Sequence, residues 1–455
     1  MTSMSSAYST KDLAALASLQ AELSDIEQVI DPVQVAKLSQ DYYYFSPILQ
    51  PIFAGKRADL VLRPTDEVEV LTIARSAVKH KIPITVRGAG TGNYGQSVPL
   101  NGGIVLDMTR MNTVKSVGPG WVCAESGTKL AAIDRVTRAS GWELRMAPST
   151  YRSATIGGFI GGGSGGVGSV TYGQLRDRGN IRAIRLVTLE DEPRIITLRG
   201  DEVYQVAHAY GTNGIITEVE MPLAPAYPWS EAIVAFPTFM QAATFGQALS
   251  DSDGMIKKLV TVFASSIAQY FTSLQTVIPD GSHTAFVMIA EESYPAFQEL
   301  VSTLGGEVVL YKTAEEASRG TPIYEYTWNH TTLLARSVDD NLTYLQTLFP
   351  YDRDLNFVQN CYEHFGNEVM MHLEFMRVDG RTTPGALQLV KFSSPERLQD
   401  IIDYHEKNGA FIFNPHAYTI EAGGMKQVDR AQVNFKKQVD PYGLLNPGKM
   451  EGWPG

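Results

Sequence analysis

The sequence predicts an α+β protein, in which two small α+β lobes wrap a pair of glycine-rich loops and a second α+β domain with an antiparallel sheet follows. Three observations carry this. A strand–helix–strand rhythm over residues 58–88 runs into the glycine stretch ITVRGAGTGNYG at 84–95. A longer glycine run, MAPSTYRSATIGGFIGGGSGGVGSVTYG at 146–173, follows some 60 residues on. Beyond PAYPWS at 225–230, apolar strand-like runs alternate with helical ones. Backbone amides without side chains over them let a fold approach a pyrophosphate closely, so the two glycine stretches are expected to embrace a dinucleotide.

Composition excludes several other classes. The chain has 455 residues, 44% hydrophobic and 19% charged, which supports two or three folded domains. A formal charge of −11 repels polyanions, and no basic stripe with interleaved aromatics is present, so a nucleic-acid partner is not expected. Two separated cysteines, Cys123 and Cys361, suggest neither a disulfide framework nor a thiolate metal site. MTSMSSAYST lacks the basic and apolar regions of a secretory leader, and no apolar run is long enough to cross a bilayer. A cytoplasmic protein with no membrane span is expected.

In order along the chain, residues 11–24 read as a surface helix capped by Ser9 or Thr10, followed by an aromatic strap around Tyr42, Tyr43 and Tyr44. Together they form a helical extension over 1–55. ADLVLRP is a short strand, and TDEVEVLTIARSAVKHK is a helix with Thr65 at its cap and Asp66 and Glu67 in its first turn. IPITVRG is the next strand. The glycine loop follows this second strand and leads through GQSVPLNGG to another strand, GIVLDM, which departs from the Rossmann arrangement of glycine loop after the first strand. TVKSVGPGWVCAES reads as two strands with a turn at Gly118–Gly120, and Lys129–Ala139 as a helix. The long glycine run is expected to be neither an ordinary helix nor a strand. Residues 181–189 and 195–198 form a hairpin, and DEVYQVAHAYG a helix ending near Gly211 that feeds the strand IITEVEMPL. These elements make one unit over 56–225.

The unit at 226–425 has strands EAIVAF, TAFVMIA and EVMMHLEFMRV, with helices expected near 238–250, 257–269, 293–303 and 331–348. The helices are expected on one face of its sheet. SSPERLQDIIDYHEKNG is a helix introduced by serine and proline and stopped by glycine. The segment 426–455 ends the chain with a helix stopped at Pro441 and a tight tail.

At the glycine stretches the sequence resembles the flavoenzyme superfamily with the PCMH-type FAD-binding domain, which contains vanillyl-alcohol oxidase. RGAGTG with GGIVLDM, then ATIGGFIGGGSGGVGSVTYG, GTNGIITEVEMPL and NPGKM occur in the family's order. The resemblance implies a two-lobed PCMH-type FAD-binding domain at 56–225, an α+β cap at 226–425, and a C-terminal segment returning to the first domain. Carried over by position, Arg87, Gly88, Ala89, Gly90, Thr91, Gly92, Asn93 and Tyr94 look like the pyrophosphate loop. Pro148, Ser149, Ala154, Thr155, Gly157 and Gly158 look like the second FAD-contacting segment, continued by Gly161, Ser164, Gly165 and Gly168. Ile215 and Ile216 resemble the pair bordering adenine, and Asn446 and Lys449 the residues returning to the flavin. Many members attach FAD through a histidine in a loop like RGGGHS. RGAGTGNYG has none and the second loop lacks cysteine, so noncovalent FAD is expected.

Within the superfamily, RGAGTG and the length point to the branch of D-lactate dehydrogenases, D-2-hydroxyglutarate dehydrogenases and the glycolate oxidase flavin subunit. That branch places a GHxGDGNxH motif and a later glutamate-histidine-glycine around a divalent metal. Here FGNEVMMHLEF at 365–375 keeps only His372, and IEAGG at 420–424 keeps Glu421 with Ala422 in the histidine position. No metal site is expected.

Hydride transfer to a flavin requires the neighbouring hydroxyl to lose a proton, so a histidine, tyrosine or carboxylate is wanted near the ring. The candidates are His372 and Glu374, which share one face of a strand with Met370 and Met376, together with His416, Glu421, Tyr326 and His330. Arg377 has the opposite phase, Tyr324 and Tyr418 suit a phenol, and His80 and His208 read as structural. The expected function is removal of a hydride from the carbinol carbon of a small alcohol or 2-hydroxy acid, with an aryl-alcohol oxidase or a non-catalytic flavin-binding subunit as alternatives. The electron acceptor, oxygen or another, stays open, and a homodimer is allowed for.

Overall fold

A computed structural model describes residues 10–163 and 165–453. The first sheet has the order Glu27–Val29, Leu60–Arg63, Ile104–Asp107, Ile84–Arg87, the last three strands being parallel. Both faces of these strands are covered, which is why they read as unbroken apolar runs. Leu60, Leu62, Ile104 and Leu106 meet the helix Glu67–His80 through Val70, Ile73, Ala74 and Ala77, whereas Val61 and Val105 meet Val29 and Val35. The cap of that helix is Asp66, which accepts from Glu69 N at 2.9 Å, rather than Thr65. Thr65 instead donates its own N–H to the Glu69 carboxylate, 2.7 Å. The C-terminal segment adds to this sheet beside Ile84, with Ile84 N on Leu444 O at 2.8 Å and Asn446 N on Ile84 O at 2.7 Å.

The second sheet is antiparallel, ordered Val114–Gly118, Trp121–Glu125, Ile215–Pro225, Ala183–Val187, Ile195–Arg199, with Trp142–Leu144 also on Ile215–Pro225. Two expectations change here. Part of the long glycine run is helical after all: Ile156–Gly162 is a short helix capped by the Thr155 hydroxyl. Ile156, Phe159 and Ile160 are buried in the lobe's core and offset the entropic cost of its glycines. Conversely, the expected helix at 201–211 is only a tight turn, Gly200–Gln205. The chain leaves it because His208 N donates to Ile160 O (2.9 Å) and Tyr210 N to Gly161 O (3.1 Å), at the cost of φ +57° and +50°.

The third sheet has nine strands in the order Glu307–Lys312, Trp229–Phe236, His283–Ala290, Lys257–Phe263, His372–Val378, Arg381–Lys391, Leu342–Leu348, Phe411–Phe413, with Val369–Met370 pairing Arg381–Lys391. Helices Phe239–Asp251, Tyr294–Thr303, Asn356–Phe365 and Pro395–Lys407 pack on one face. The opposite face receives Trp328, Tyr326, Ala335 and Val167. Lys257–Phe263 was expected as a helix. As an inner strand it buries Val260 and Val262 towards the helices and Leu259 and Phe263 on the other side, which removes the alternation that marks a strand. The expected helix at 331–348 splits into the helix Asn329–Val338 and the strand Leu342–Leu348. Glu307–Lys312 and Arg381–Lys391 were not anticipated. Pro384 and Gly385 disguise the latter, although Gly385 is needed: a Cβ there would lie 2.5 Å from Met376 Cε.

Candidate cofactor cleft

Residues 88–93 leave the strand Ile84–Arg87 without entering another element. Among the described residues, none of the backbone N–H groups from Gly88 to Asn93 finds an acceptor. A run of free amides is costly unless something outside the chain accepts from it. The loop is braced from behind. The half-buried Arg87 guanidinium donates to Gln40 O and Ala89 O, and a Cβ on Gly90 would lie 2.2 Å from it. A Cβ on Gly88 would meet Thr155 Oγ1 at 2.0 Å, so the two glycine stretches touch through bare backbone.

The cleft between them is lined by Arg87, Gly88, Ala89, Gly90, Thr91, Gly92, Asn93 and Tyr94 on one side. Pro148, Ser149, Ala154, Thr155, Gly157, Gly158, Gly161 and Gly165 line the other, with Ile216 at one margin. Gly161 and Gly162 have open space where a Cβ would stand. The nine-stranded sheet closes the cleft with Gln346, Leu348, Met376, Leu387 and Phe413. Met376 reaches it because His372, Glu374 and Met376 share one face of their strand, and Gln174 Nε2 lies 3.2 Å from its sulfur. The Tyr94 hydroxyl joins loop to sheet, donating to Gln346 Oε1 at 2.7 Å with Phe413 O also within 3.1 Å.

Four other expected cofactor residues lie elsewhere. Gly168 packs on Arg145 O and donates its N–H to Lys258 O at 2.7 Å, while Ile215 belongs to the core of the first lobe. Asn446 and Lys449 stand behind the first loop. Asn446 Nδ2 donates to Gln96 O (2.7 Å) and Tyr210 O (2.6 Å), and Lys449 Nζ to Gly95 O (2.7 Å). Lys449 is fully buried with its ammonium 4.5 Å from the Phe53 ring centre. Burial lowers its pKa and raises that of Asp41, whose charge opposes the lowering. Ser164 lies outside the described residues.

None of the six expected acid–base residues lines the cleft. His372 is bonded through both ring nitrogens, to Leu387 O (3.1 Å) and Glu374 Oε1 (2.8 Å). Glu374 also accepts from Trp328 N and Thr261 Oγ1, each at 2.6 Å. His416 bridges Ser46 Oγ (2.8 Å) and Tyr344 O (3.0 Å). Burial lowers its pKa to about 4. Glu421 accepts from Glu451 N and Gly452 N, Tyr326 pairs with Ser273 Oγ, and His330 with Glu325. The placement of these residues follows from their satisfied partners: each is tied to protein groups rather than turned to open space. Among the described residues no group of three or more His, Cys, Asp or Glu is gathered to hold a metal, so His372, His416 and Glu421 do not form such a site.

The cleft instead presents Arg176, Trp328 and Asn329, which sequence reasoning passed over, and His208, which it read as structural. Among the described residues, five buried polar atoms of the cleft find no hydrogen-bond partner: Ser97 Oγ, Ser126 Oγ, His208 Nδ1, Trp328 Nε1 and Asn329 Oδ1. Buried polar groups are normally paired, so this clustering suits a large polar ligand. No residue pattern signals these positions. His208 and Trp328 reach the cleft through positive φ at non-glycine residues, which the sequence does not display.

Residues 58–195 match the family described as FAD binding domain. The chain is 29% identical over 234 residues to D-lactate dehydrogenase of Archaeoglobus fulgidus, covering 49% of this chain and 50% of that protein. It is 29% identical over 204 residues to glycolate oxidase subunit GlcD of Bacillus subtilis, 42% of each. The chain thus spans half or less of the length of these curated relatives. In fold it is similar to alkyldihydroxyacetonephosphate synthase, with a TM-score of 0.72 at 16% identity over 98% of this chain and 87% of that one. Residues 58–195 thus match the FAD binding domain family, about half of the chain or less is similar in sequence to a D-lactate dehydrogenase and a glycolate oxidase subunit, and the two-part α+β fold is shared with alkyldihydroxyacetonephosphate synthase.

Proposed function

We propose that the protein is an FAD-dependent oxidoreductase that holds its flavin noncovalently and removes a hydride from the carbinol carbon of a small alcohol or 2-hydroxy acid. The observation that carries this is the run of amides from Gly88 to Asn93 that find no acceptor among the described residues, beside a cleft with five further unpaired buried polar atoms. Those amides would hold the diphosphate, with Thr155, Gly157, Gly158 and Gly161 giving backbone access on the opposite wall. Bound FAD would supply a two-electron hydride acceptor, reoxidised by oxygen or another acceptor.

The chain's own residues supply the surroundings. Trp328, Met376, Leu387 and Phe413 exclude water from the end walled by the sheet. Burial, together with the positive charge of Arg176, holds the pKa of His208 down at about 4, so its imidazole is neutral and can accept a hydrogen at Nδ1. The His372–Glu374 pair and His416 act at a distance, by positioning Trp328 and the strap at Ser46. We assign the helical extension to 1–55, the FAD-binding domain to 56–225, the cap to 226–425 and the returning segment to 426–455.

Anaerobic mixing of the reconstituted protein with D-lactate, D-2-hydroxyglutarate, glycolate and vanillyl alcohol, with and without EDTA, tests the activity. Bleaching of the flavin by one of the acids or alcohols is expected, insensitive to chelator. Bound flavin that none of them bleaches favours a non-catalytic flavin-binding subunit.

A further inference from the structure

The part of the cleft walled by the sheet contains a cation that no carboxylate among the described residues pairs with directly. Arg176 lies in the cleft with its guanidinium 5.2 Å from the Phe413 ring centre. Among the described residues it makes no side-chain hydrogen bond or ion pair. Asp177 and Asp379 act on its charge from nearby without bonding to it, and Asp177 accepts instead from Gln174 N at 2.8 Å. Burial lowers the pKa of this arginine, outweighing the opposing charges of Asp177 and Asp379. A partly desolvated guanidinium left unpaired is costly, and its planar fork matches a carboxylate.

A second observation lies next to it. His208 packs its ring against Gly163 and Gly424, where a Cβ on Gly163 would lie 2.2 Å from its Cγ. Its Nδ1 is buried and finds no partner among the described residues. The position of a Cβ on Gly424 is 3.4 Å from Phe413 and 3.6 Å from His208 Cε1, so the ring that carries Arg176 and the orphaned imidazole share one wall. His208 is also held at φ +57°, a conformation retained only where the surroundings dictate it. The other polar groups lining the cleft beside the sheet are neutral: Tyr94 and Gln346 are bonded to each other, and the Trp328 indole and Asn329 amide carry no charge to pair with a guanidinium. The free amides of the first loop lie on another element, which leaves Arg176 available for a second anion.

Resting on the flavoenzyme reading above, we propose that Arg176, with His208 Nδ1 beside it, is the point at which the cleft recognises the carboxylate of a small hydroxy acid. The substrate is then an anion selected over a neutral alcohol. Its carboxylate pairs with the guanidinium, and its adjacent hydroxyl lies within the range of the imidazole nitrogen. Burial is the larger cause of the low proton affinity of His208 and the Arg176 charge the lesser, so a bound carboxylate that neutralises Arg176 removes part of that suppression and makes the imidazole a better acceptor for the hydroxyl proton.

The test uses the FAD-reconstituted protein and oxalate, an anion with no hydrogen to transfer, titrated by calorimetry and by the visible flavin spectrum. Wild-type protein is expected to bind oxalate. Arg176→Met should weaken that binding by about 10- to 100-fold, as expected for loss of a charge-assisted pair, and Arg176→Lys should fall between them, while FAD affinity stays within about threefold. Absence of oxalate binding to wild type, or equal binding to Arg176→Met, overturns the proposal. Loss of FAD from Arg176→Met overturns it too, by assigning the cation to the cofactor's diphosphate. If wild-type protein binds no FAD, the flavoenzyme reading falls separately, and calorimetry on the unloaded protein still decides whether Arg176 holds oxalate.

Discussion

The Glu374 carboxylate accepts the backbone N–H of Trp328 at 2.6 Å, and Trp328 stands at φ +52°, ψ −139°. A side-chain-bearing residue in that region costs about 1–3 kcal/mol and persists only where it is held. Here the same carboxylate also ties Thr261 and His372, and the result is that the Trp328 indole lies in the cleft against Gly165.

Replacing Glu374 by Ala is therefore expected to leave Trp328 N–H, the Thr261 hydroxyl and His372 short of an acceptor in a fully buried site. A loss of about 3–5 kcal/mol in urea unfolding is expected, together with weaker FAD binding and altered tryptophan fluorescence. Glu374→Gln, which keeps one acceptor oxygen, should cost less. Equal stability of wild type and Glu374→Ala would show that the pair does not hold this turn.

Gly161 and Gly166 separate cofactor space from packing space. A Cβ on Gly161 meets nothing within 4 Å, whereas one on Gly166 would lie 2.0 Å from Ala147 O. Gly161→Leu should leave the Tm of the unloaded protein unchanged or raised, since a helical glycine is replaced, yet weaken FAD binding by about two orders of magnitude or more. Gly166→Ala should lower the Tm whether or not FAD is present. Thermal melts with and without FAD read both.

Asn446 holds the first loop from behind with two donated hydrogen bonds, at φ +42°. Asn446→Gly keeps that backbone conformation without strain and removes only the amide. It should destabilise the fold by about 1–3 kcal/mol, the cost of leaving buried carbonyls unpaired, and weaken FAD binding in the same variant. Unchanged FAD affinity would separate this brace from the cofactor loop.

His416 gives a dependence on pH with a fixed sign. Its folded pKa is lowered from 6.5 to about 4 by burial, so the neutral ring contributes stability that is fully present above 6.5 and is lost as pH falls towards 4. The loss amounts to at most about 3 kcal/mol. Denaturant midpoints across this range should fall more steeply for wild type than for His416→Gln, and parallel curves would contradict the assignment.

The glycine stretches disclosed the cofactor end of the cleft because close backbone approach can be read from missing side chains alone: Gly88 against Thr155 and Gly157 against Ser126 have no alternative residue type. The acid–base end was not legible. His372, Glu374 and His416 have the residue types and the strand phase of a reactive cluster, but whether a histidine faces a cavity or a carbonyl is settled by distant partners such as Leu387 and Tyr344. Arg176 and His208 show the reverse case. Arg176 lies in an ordinary charged turn with Asp177 and Arg178, His208 has no titratable side chain beside it but Tyr210, and only the meeting of residues near 163, 176, 208, 413 and 424 gives them a role. Strands Lys257–Phe263 and Arg381–Lys391 were hidden for a related reason, being interior to a sheet covered on both faces.

The most direct measurement is FAD binding by the purified chain, followed by acid precipitation. Saturable uptake of one FAD per chain is predicted, with a perturbed flavin spectrum, sharply weakened uptake in Gly161→Leu, and all colour released into the supernatant by trichloroacetic acid. No uptake, or equal uptake by Gly161→Leu, would contradict the assignment of the cleft. Colour kept in the pellet would contradict noncovalent binding and direct attention to His208, the one histidine lining the cleft among the described residues.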